Sequence, residues 1–416
     1  MNTGINTSTF NIFEKLFIYT FAFFIFFNFI DRSISNIFLI LLLLISLTLV
    51  FPINRNKTDQ KIIYFIITIV GLFIILNIYH HKPDHVHSII NEVDNYSRYL
   101  LLLPIYFAVK RIKISIELFF NIIMLSSLIA FVFLVYDTYI LDYRNYDDYR
   151  YRGTASSIIT YGNLIMCLAV LLLCNIFRLF PKRFCVKSFV LFVLMIFTWS
   201  CTITKGSLIG FILGFIGVLI LYRHYFISFI VALTLLLILL FTNIHIHIKN
   251  AYDAYQTIEL DIIKDNTKEN SSINERIYYI KYSLKKISES PLIGIGPGEY
   301  YKQMKESLKE ERIDLVPRDH AHNEFLDISA KYGLVTLLFF LLMHMYFIRI
   351  FLKNKNEFSN IGIIFIVTQF GFMLTQSQFA HHQAIAFFIT ILFLLLGSTC
   401  KITSNSNKGY YEKKMD

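Results

Sequence analysis

The chain has 416 residues, 56% of them hydrophobic and 16% charged, with a mean hydropathy of +0.56. Soluble domains are about 45–50% apolar and about 25% charged, so this composition excludes an ordinary soluble enzyme, a secreted disulfide scaffold and a disordered chain. The net charge of +10 sits largely in short basic clusters between apolar runs, a pattern of topology signals rather than of a nucleic-acid-binding face.

A helix needs about 20 apolar residues to cross a bilayer. Runs near that length predict spans over 16–30, 34–51, 62–79, 99–109, 116–140, 154–177, 188–201, 207–222, 226–242, 334–351, 361–374 and 384–396, with the fourth unusually short. The expected fold is an all-α, polytopic integral membrane protein of about twelve transmembrane helices. Residues 1–243 would hold nine spans, 244–333 a large polar loop, 334–400 three more spans and 401–416 a polar tail. The first run has no small-residue cleavage site and a second follows at once, so it is expected to be an uncleaved span. Cys167, Cys174, Cys185, Cys201 and Cys400 all lie outside the polar loop, and no disulfide framework is visible.

Short loops set orientation through Lys and Arg. One side collects Arg55, Lys57, Lys61, Lys110, Arg111, Lys113, Arg178, Lys182, Arg183, Lys187, Arg223, Arg349, Lys353 and Lys355; the other short loops are poorer in basic residues. Both termini are therefore expected in the cytoplasm and the large loop outside. Within that loop Ile277, Ile280, Leu284 and Ile287 recur at spacings of three to four, as on one face of a helix. A turn is expected in the run PLIGIGPGEY that follows.

Chemistry concentrates where polar groups meet the membrane, because ionisable side chains there are unfavourable unless used. The sharpest stretch is RDHAHNEFLDISAKYG, Arg318 to Gly333. Three readings compete for its His320 and His322. A metal site would need a third ligand, and no HExxH or Cys cluster supplies one. A polar helix start would use Asp319 or Asn323 as the cap. A general base would use a neutral imidazole to take a hydroxyl proton. Arg276, in SSINERIYYIKYS, reads as a snorkelling side chain or as a phosphate ligand. Lys205, alone between the seventh and eighth spans, reads as a headgroup-level cation or as a second phosphate ligand. Arg152, in YRYRGTASSIITYGN, reads as part of an interfacial belt or as a support to the site. The other histidines, His80, His81, His85, His87, His245, His247, His381 and His382, are expected at the surface.

With these motifs in place, the chain resembles the O-antigen ligase and polymerase superfamily. That family pairs about twelve spans with one large late periplasmic loop closed by a histidine motif: His, then Asn, Ser or Gln, nine residues, Gly, two residues, Gly. Here His322 and Asn323 are followed by nine residues and Gly333, while Thr336 replaces the second Gly. Lys205 stands where the family carries a short-loop arginine, and Arg276 matches its loop arginine. The PLIGIGPGEY and RGTASS stretches are weaker landmarks. The resemblance implies a membrane glycosyltransferase with a GT-C-like fold in the bacterial inner membrane. It implies a glycan donor on undecaprenyl diphosphate, a lipid A-core acceptor, surrounding membrane lipids, and no cofactor, metal or nucleic acid. His322 would be the base, Arg276 and Lys205 the diphosphate ligands, and Asn323, His320, Arg318 and Arg152 the supporting residues, with His320 mattering less if the stretch is helical. A polymerase of the same superfamily is the nearest alternative. A secondary transporter is the rival from another class, though repeated halves are not visible.

Overall fold

A computed structural model describes residues 7–50, 56–81, 86–112, 114–140, 146–147, 150–153, 155, 157–180, 182–202, 204–224, 271–311 and 315–400. The expected ninth span, 226–242, and His85, His245 and His247 lie outside the described residues. The structure is all-helical apart from a two-residue hairpin, Tyr146–Asp147 with Arg150–Tyr151. In chain order the helices are α1 (Thr7–Phe27), α2 (Arg32–Val50), α3 (Lys57–Tyr79), α4 (Val86–Leu101), α5 (Leu103–Arg111), α6 (Ile116–Tyr139), α7 (Ile158–Leu179), α8 (Val186–Thr202), α9 (Lys205–Tyr222), α10 (Ser271–Glu289), α11 (Pro297–Glu310), α12 (Glu324–Asn354), α13 (Glu357–Met373) and α14 (His382–Thr399). Among the described residues seven of these, α2, α3, α6, α7, α9, α12 and α14, are long and apolar enough to cross a membrane. The chain is a polytopic membrane protein in fold.

Burial sorts the helices. α7 and α14 are buried on nearly every side, 89% and 94% of their apolar windows, so they form the centre. Such a position demands apolar residues all round, as in the α7 run LIMCLAVLLL. α2 is the opposite case. Ile37, Ile40, Leu44 and Leu47 form an exposed stripe at spacings of three and four, too long and apolar for water and suited to lipid. Small residues let α9 and α13 approach closely. Gly206, Gly210 and Gly214 are spaced one turn apart, and a Cβ on them would collide with Thr375, Phe372 and Thr368 respectively.

One expectation needs correction. The short fourth span, 99–109, is not one helix: α4 and α5 meet at Leu102, with Pro104 in the first turn of α5. Proline has no N–H to donate and its ring clashes with the preceding turn, so an apolar run alone cannot carry one helix through it. On the isoleucine face of α10, a helix as expected, Ile280 is 37% and Leu284 52% exposed, while Ile287 packs against the loop's own core. The buried side is aromatic. Tyr278, Tyr279 and Tyr282 pack with Tyr300, Met304 and Leu308 of α11 and Ala330 of α12. Tyrosine wins this face because each hydroxyl also finds a partner: Tyr278 bonds Ser307 at 3.1 Å and Tyr279 donates to Val316 O at 2.7 Å.

α12 has 31 residues, about 46 Å of helix. It is broken at Gly333, which holds φ 82° and ψ 166°. The PLIGIG turn crosses the break. Ile295 and Gly296 donate to the carbonyls of Ala330 and Lys331 at 2.9 and 3.0 Å, and Leu334 N–H donates to Pro291 O at 2.7 Å. The turn thus satisfies the carbonyls that the break orphans, and a Cβ at residue 333 would strike Leu292 backbone. Thr336, where the family has its second Gly, is buried and returns its hydroxyl to Tyr332 O at 2.8 Å. We expect Gly333→Ala to destabilise the protein, since the left-handed conformation alone costs a side-chain-bearing residue roughly 1–2 kcal/mol and the backbone collision adds to that. Thermal unfolding in detergent checks it; an unchanged midpoint would mean the break tolerates a helical residue.

Candidate active site

The site is built on the first turns of α12. Asn323 caps the helix, its Oδ1 accepting Leu326 N–H at 3.1 Å, and its Nδ2 donates to Leu374 O at the end of α13 at 3.0 Å. Asn323, not Asp319, is therefore the cap. The segment before it is not helical. Asp327, one turn into α12, accepts Ala321 N–H at 3.0 Å and pairs with buried Lys331 at 3.1 Å. That single backbone anchor fixes His320 and His322 on either side of Ala321. Because the stretch bends rather than coiling into a helix, the two rings come together at 4.5 Å, inclined at 69°. The expectation that His320 would point elsewhere rested on a helix that does not form.

His322 sits at φ 52°, a left-handed backbone in a non-glycine residue, a conformation costing roughly 1–2 kcal/mol and common at functional sites. Its ring stacks on Tyr279 of α10 at 5.6 Å and 29°. Arg276 lies three residues before Tyr279 on α10, so one helix face delivers both the ring and the guanidinium to the histidine loop. The His322 imidazole is pushed down to about 3, first by burial and then by the charges of His320, Arg276, Arg318 and His381. It is therefore neutral at physiological pH, and its Nδ1 is buried with no hydrogen-bond partner among the described residues. His320 differs. Its Nδ1 lies 2.6 Å from Asp319 Oδ1, and this bond holds the Asp319 carboxyl well below the usual range.

His381 was expected at the surface and instead belongs here, 6.2 Å from His320 and pushed down to about 4 by burial and then by His320. Glu324 explains its placement. This fully buried carboxylate accepts Tyr96 Oη at 3.0 Å and Phe379 N–H at 2.9 Å, tying the 3₁₀ turn Gln378–Ala380 to the start of α12. His381 follows that turn. A sequence signal for the framework did exist: Glu324, Asp327 and Lys331 recur at spacings of three and four, charges on one face of a helix entering a membrane. His80 also leaves the surface role, its Nε2 lying 3.1 Å from Ile293 O of the PLIGIG turn.

Lys205 is exposed at the first turn of α9. Its neighbour Gly206 accepts the Thr375 hydroxyl at 3.1 Å, next to the Leu374 carbonyl that Asn323 holds. Two adjacent residues thus link the Lys205 turn to the histidine loop. Arg318 is exposed, just ahead of the histidines, and interacts with Tyr279. Arg152 is exposed beside the hairpin, and no contact joins it to the histidines among the described residues. Nor do those residues contain a cluster of three or more His, Cys, Asp or Glu that could hold a metal ion.

The arrangement brings a neutral imidazole, two arginines and two further histidines to the head of a membrane helix, a combination able to bind an anion and accept a proton beside it. An uncharacterized protein of Haemophilus influenzae is 24% identical over 374 residues, 85% of this chain and 90% of that protein. The O-antigen ligase family model matches residues 190–341, a window that takes in Lys205, Arg276, Arg318, His320, His322 and Asn323 but not Arg152. The matched segment spans the histidine loop and the cations around it, so over these residues the chain is similar to the O-antigen ligases.

Proposed function

We infer that the chain transfers a glycan from undecaprenyl diphosphate to a hydroxyl of the lipid A-core oligosaccharide, at the periplasmic face of the inner membrane and with His322 as general base. The observation that carries this reading is the neutral, partly buried His322 among Arg276, Arg318, His320 and His381. The acceptor oxygen attacks the anomeric carbon as the bond to the donor's diphosphate breaks. The hydroxyl proton passes to the imidazole, and undecaprenyl diphosphate leaves with the bonding electron pair. Arg276 and Lys205 balance the growing phosphate charge, and Arg318 and His320 keep positive potential over the same place.

The same cations that make His322 a weak base in the free protein would be neutralised by a bound diphosphate. An adjacent anion favours the protonated imidazole, so donor binding raises the basicity of His322 when it is needed. The expected pH profile follows. A depressed imidazole pKa keeps the base neutral as pH falls through 6.5, so the acid limb of kcat/KM, which reports free enzyme, lies below about pH 5. The acid limb of kcat, which reports the donor complex, lies higher. A kcat/KM limb near pH 6.5 would assign catalysis to an ordinary solvated histidine.

The Asp319–His320 bond favours a second assignment, in which His320 is the base and Asp319 orients it. The unpartnered Nδ1 of His322 argues for the first, because its partner can then be the substrate hydroxyl. The overall reading is tested by reconstituting purified protein with undecaprenyl-diphosphate glycan and lipid A-core, without metal or nucleotide. Glycan appearing on the core supports a ligase. Elongation of the lipid-linked glycan instead assigns a polymerase, and no product from either acceptor ends the transfer reading.

A further inference from the structure

At the opposite end of the bundle, α3 and α12 flank a cavity of about 390 Å³. α3 places it there: its last turn meets the PLIGIG turn through His80, and Lys57 begins it 22 residues earlier, about 33 Å away. Four cations line the cavity. Lys57 and Lys61 are one turn apart on α3, and Arg349 and Lys353 are one turn apart on α12. Such like-charged pairs on a helix repel, and here two pairs face each other. A tilted ring contact of Phe65 with Tyr346, at 5.1 Å, joins the two helices one turn away. Among the described residues no carboxylate lines the cavity. Asp59, between the two lysines in sequence, is fully buried and engaged by Lys110 Nζ at 2.7 Å and Tyr106 Oη at 2.6 Å. Among the described residues none of the four cations forms an ion pair.

Topology signals require basic residues in loops; they do not require four of them to converge on one cavity from two helices. We propose that this cavity binds a phosphate-bearing anion, and that its source is the headgroup of an anionic phospholipid in the leaflet on this side of the membrane. Tyr346 and Ile350 supply an apolar wall to the same cavity. Tyr64 on α3 and Leu352 on α12 are exposed apolar side chains at this end, along which acyl chains can run. The chemistry is that of a basic pocket between membrane helices. It is independent of the glycan reaction at the other end.

The test uses full-length protein in zwitterionic detergent, titrated with phosphatidylglycerol, cardiolipin, phosphatidylethanolamine or inorganic phosphate. Native mass spectrometry counts retained lipid, and thermal unfolding reports the consequence. Wild type is expected to retain phosphatidylglycerol and cardiolipin in preference to phosphatidylethanolamine and to melt higher with them. A surface cation is worth about fivefold in anionic-lipid binding, so Lys57→Gln/Arg349→Gln should weaken retention about 25-fold. Arg183→Gln/Lys187→Gln, an equal loss of charge in another loop, should leave it unchanged. Equal weakening by both double variants, or by neither, overturns the site. Inorganic phosphate that raises the melting point as much as lipid, and displaces it, overturns the lipid source. Melting without added lipid verifies that the first variant is folded; if it is not, Lys61→Gln and Lys353→Gln, each expected to weaken retention about fivefold, take its place.

Discussion

His322→Ala is expected to lower glycan transfer by about 10²–10⁴-fold per folded molecule, the usual contribution of a positioned general base. The substitution removes the proton acceptor but not the elements that hold the loop. Ala321 N–H stays on Asp327, Asn323 still caps α12, and Glu324 still holds the Gln378–Ala380 turn. Melting temperature and donor binding should therefore change little; alanine also shares the reluctance of histidine to sit at φ 52°. His320→Ala should reduce transfer less, because it removes the bond to Asp319 but leaves the base. Turnover, unfolding and donor binding measured on both variants decide the matter. Near-normal turnover of His322→Ala ends its assignment as base, and a larger loss in His320→Ala moves the role to the Asp319–His320 pair. Loss of folding in both would instead indicate a purely structural loop.

The second large effect is expected at the two cations. Arg276→Ala should reduce transfer about 10²–10³-fold, the typical loss when one preorganised donor to a developing negative charge is removed. Arg276 also depresses the His322 pKa. Its loss should therefore shift the acid limb of kcat/KM upward, a signature that a residue acting only in packing would not give. Lys205→Ala should also impair transfer, whereas Lys205→Arg should be tolerated, because a guanidinium keeps the charge and adds a second donor to phosphate. Lys205 is exposed and at a helix start, so neither change threatens the fold. Wild-type rates in both alanine variants would remove the diphosphate role. A loss in Lys205→Ala that arginine does not repair would mean that Lys205 acts through its compact ammonium rather than its charge alone.

The membrane class and most of the spans were legible in the sequence because hydropathy over about 20 residues is a local property, which no distant partner has to complete. The histidine loop was legible too, as was its spacing to Gly333, because a positive φ selects glycine wherever the chain meets itself. The split of the fourth span was visible in Pro104 but masked by the apolar run around it. Other features required the tertiary structure, and each depends on contacts between residues far apart in the chain. Glu324 reaches Phe379, 55 residues on, and that bond helps bring His381 to His320. Tyr279 meets His322, 43 residues on, carrying Arg276 with it. The face of α10 that turns inward is decided by what it meets. The tyrosines find both apolar partners and hydroxyl acceptors on α11 and the loop ahead of α12, while Ile280 and Leu284, equally apolar by sequence, are left outside. Local periodicity names the possible faces of a helix; the free energy of burial, which belongs to the pair of surfaces, selects among them.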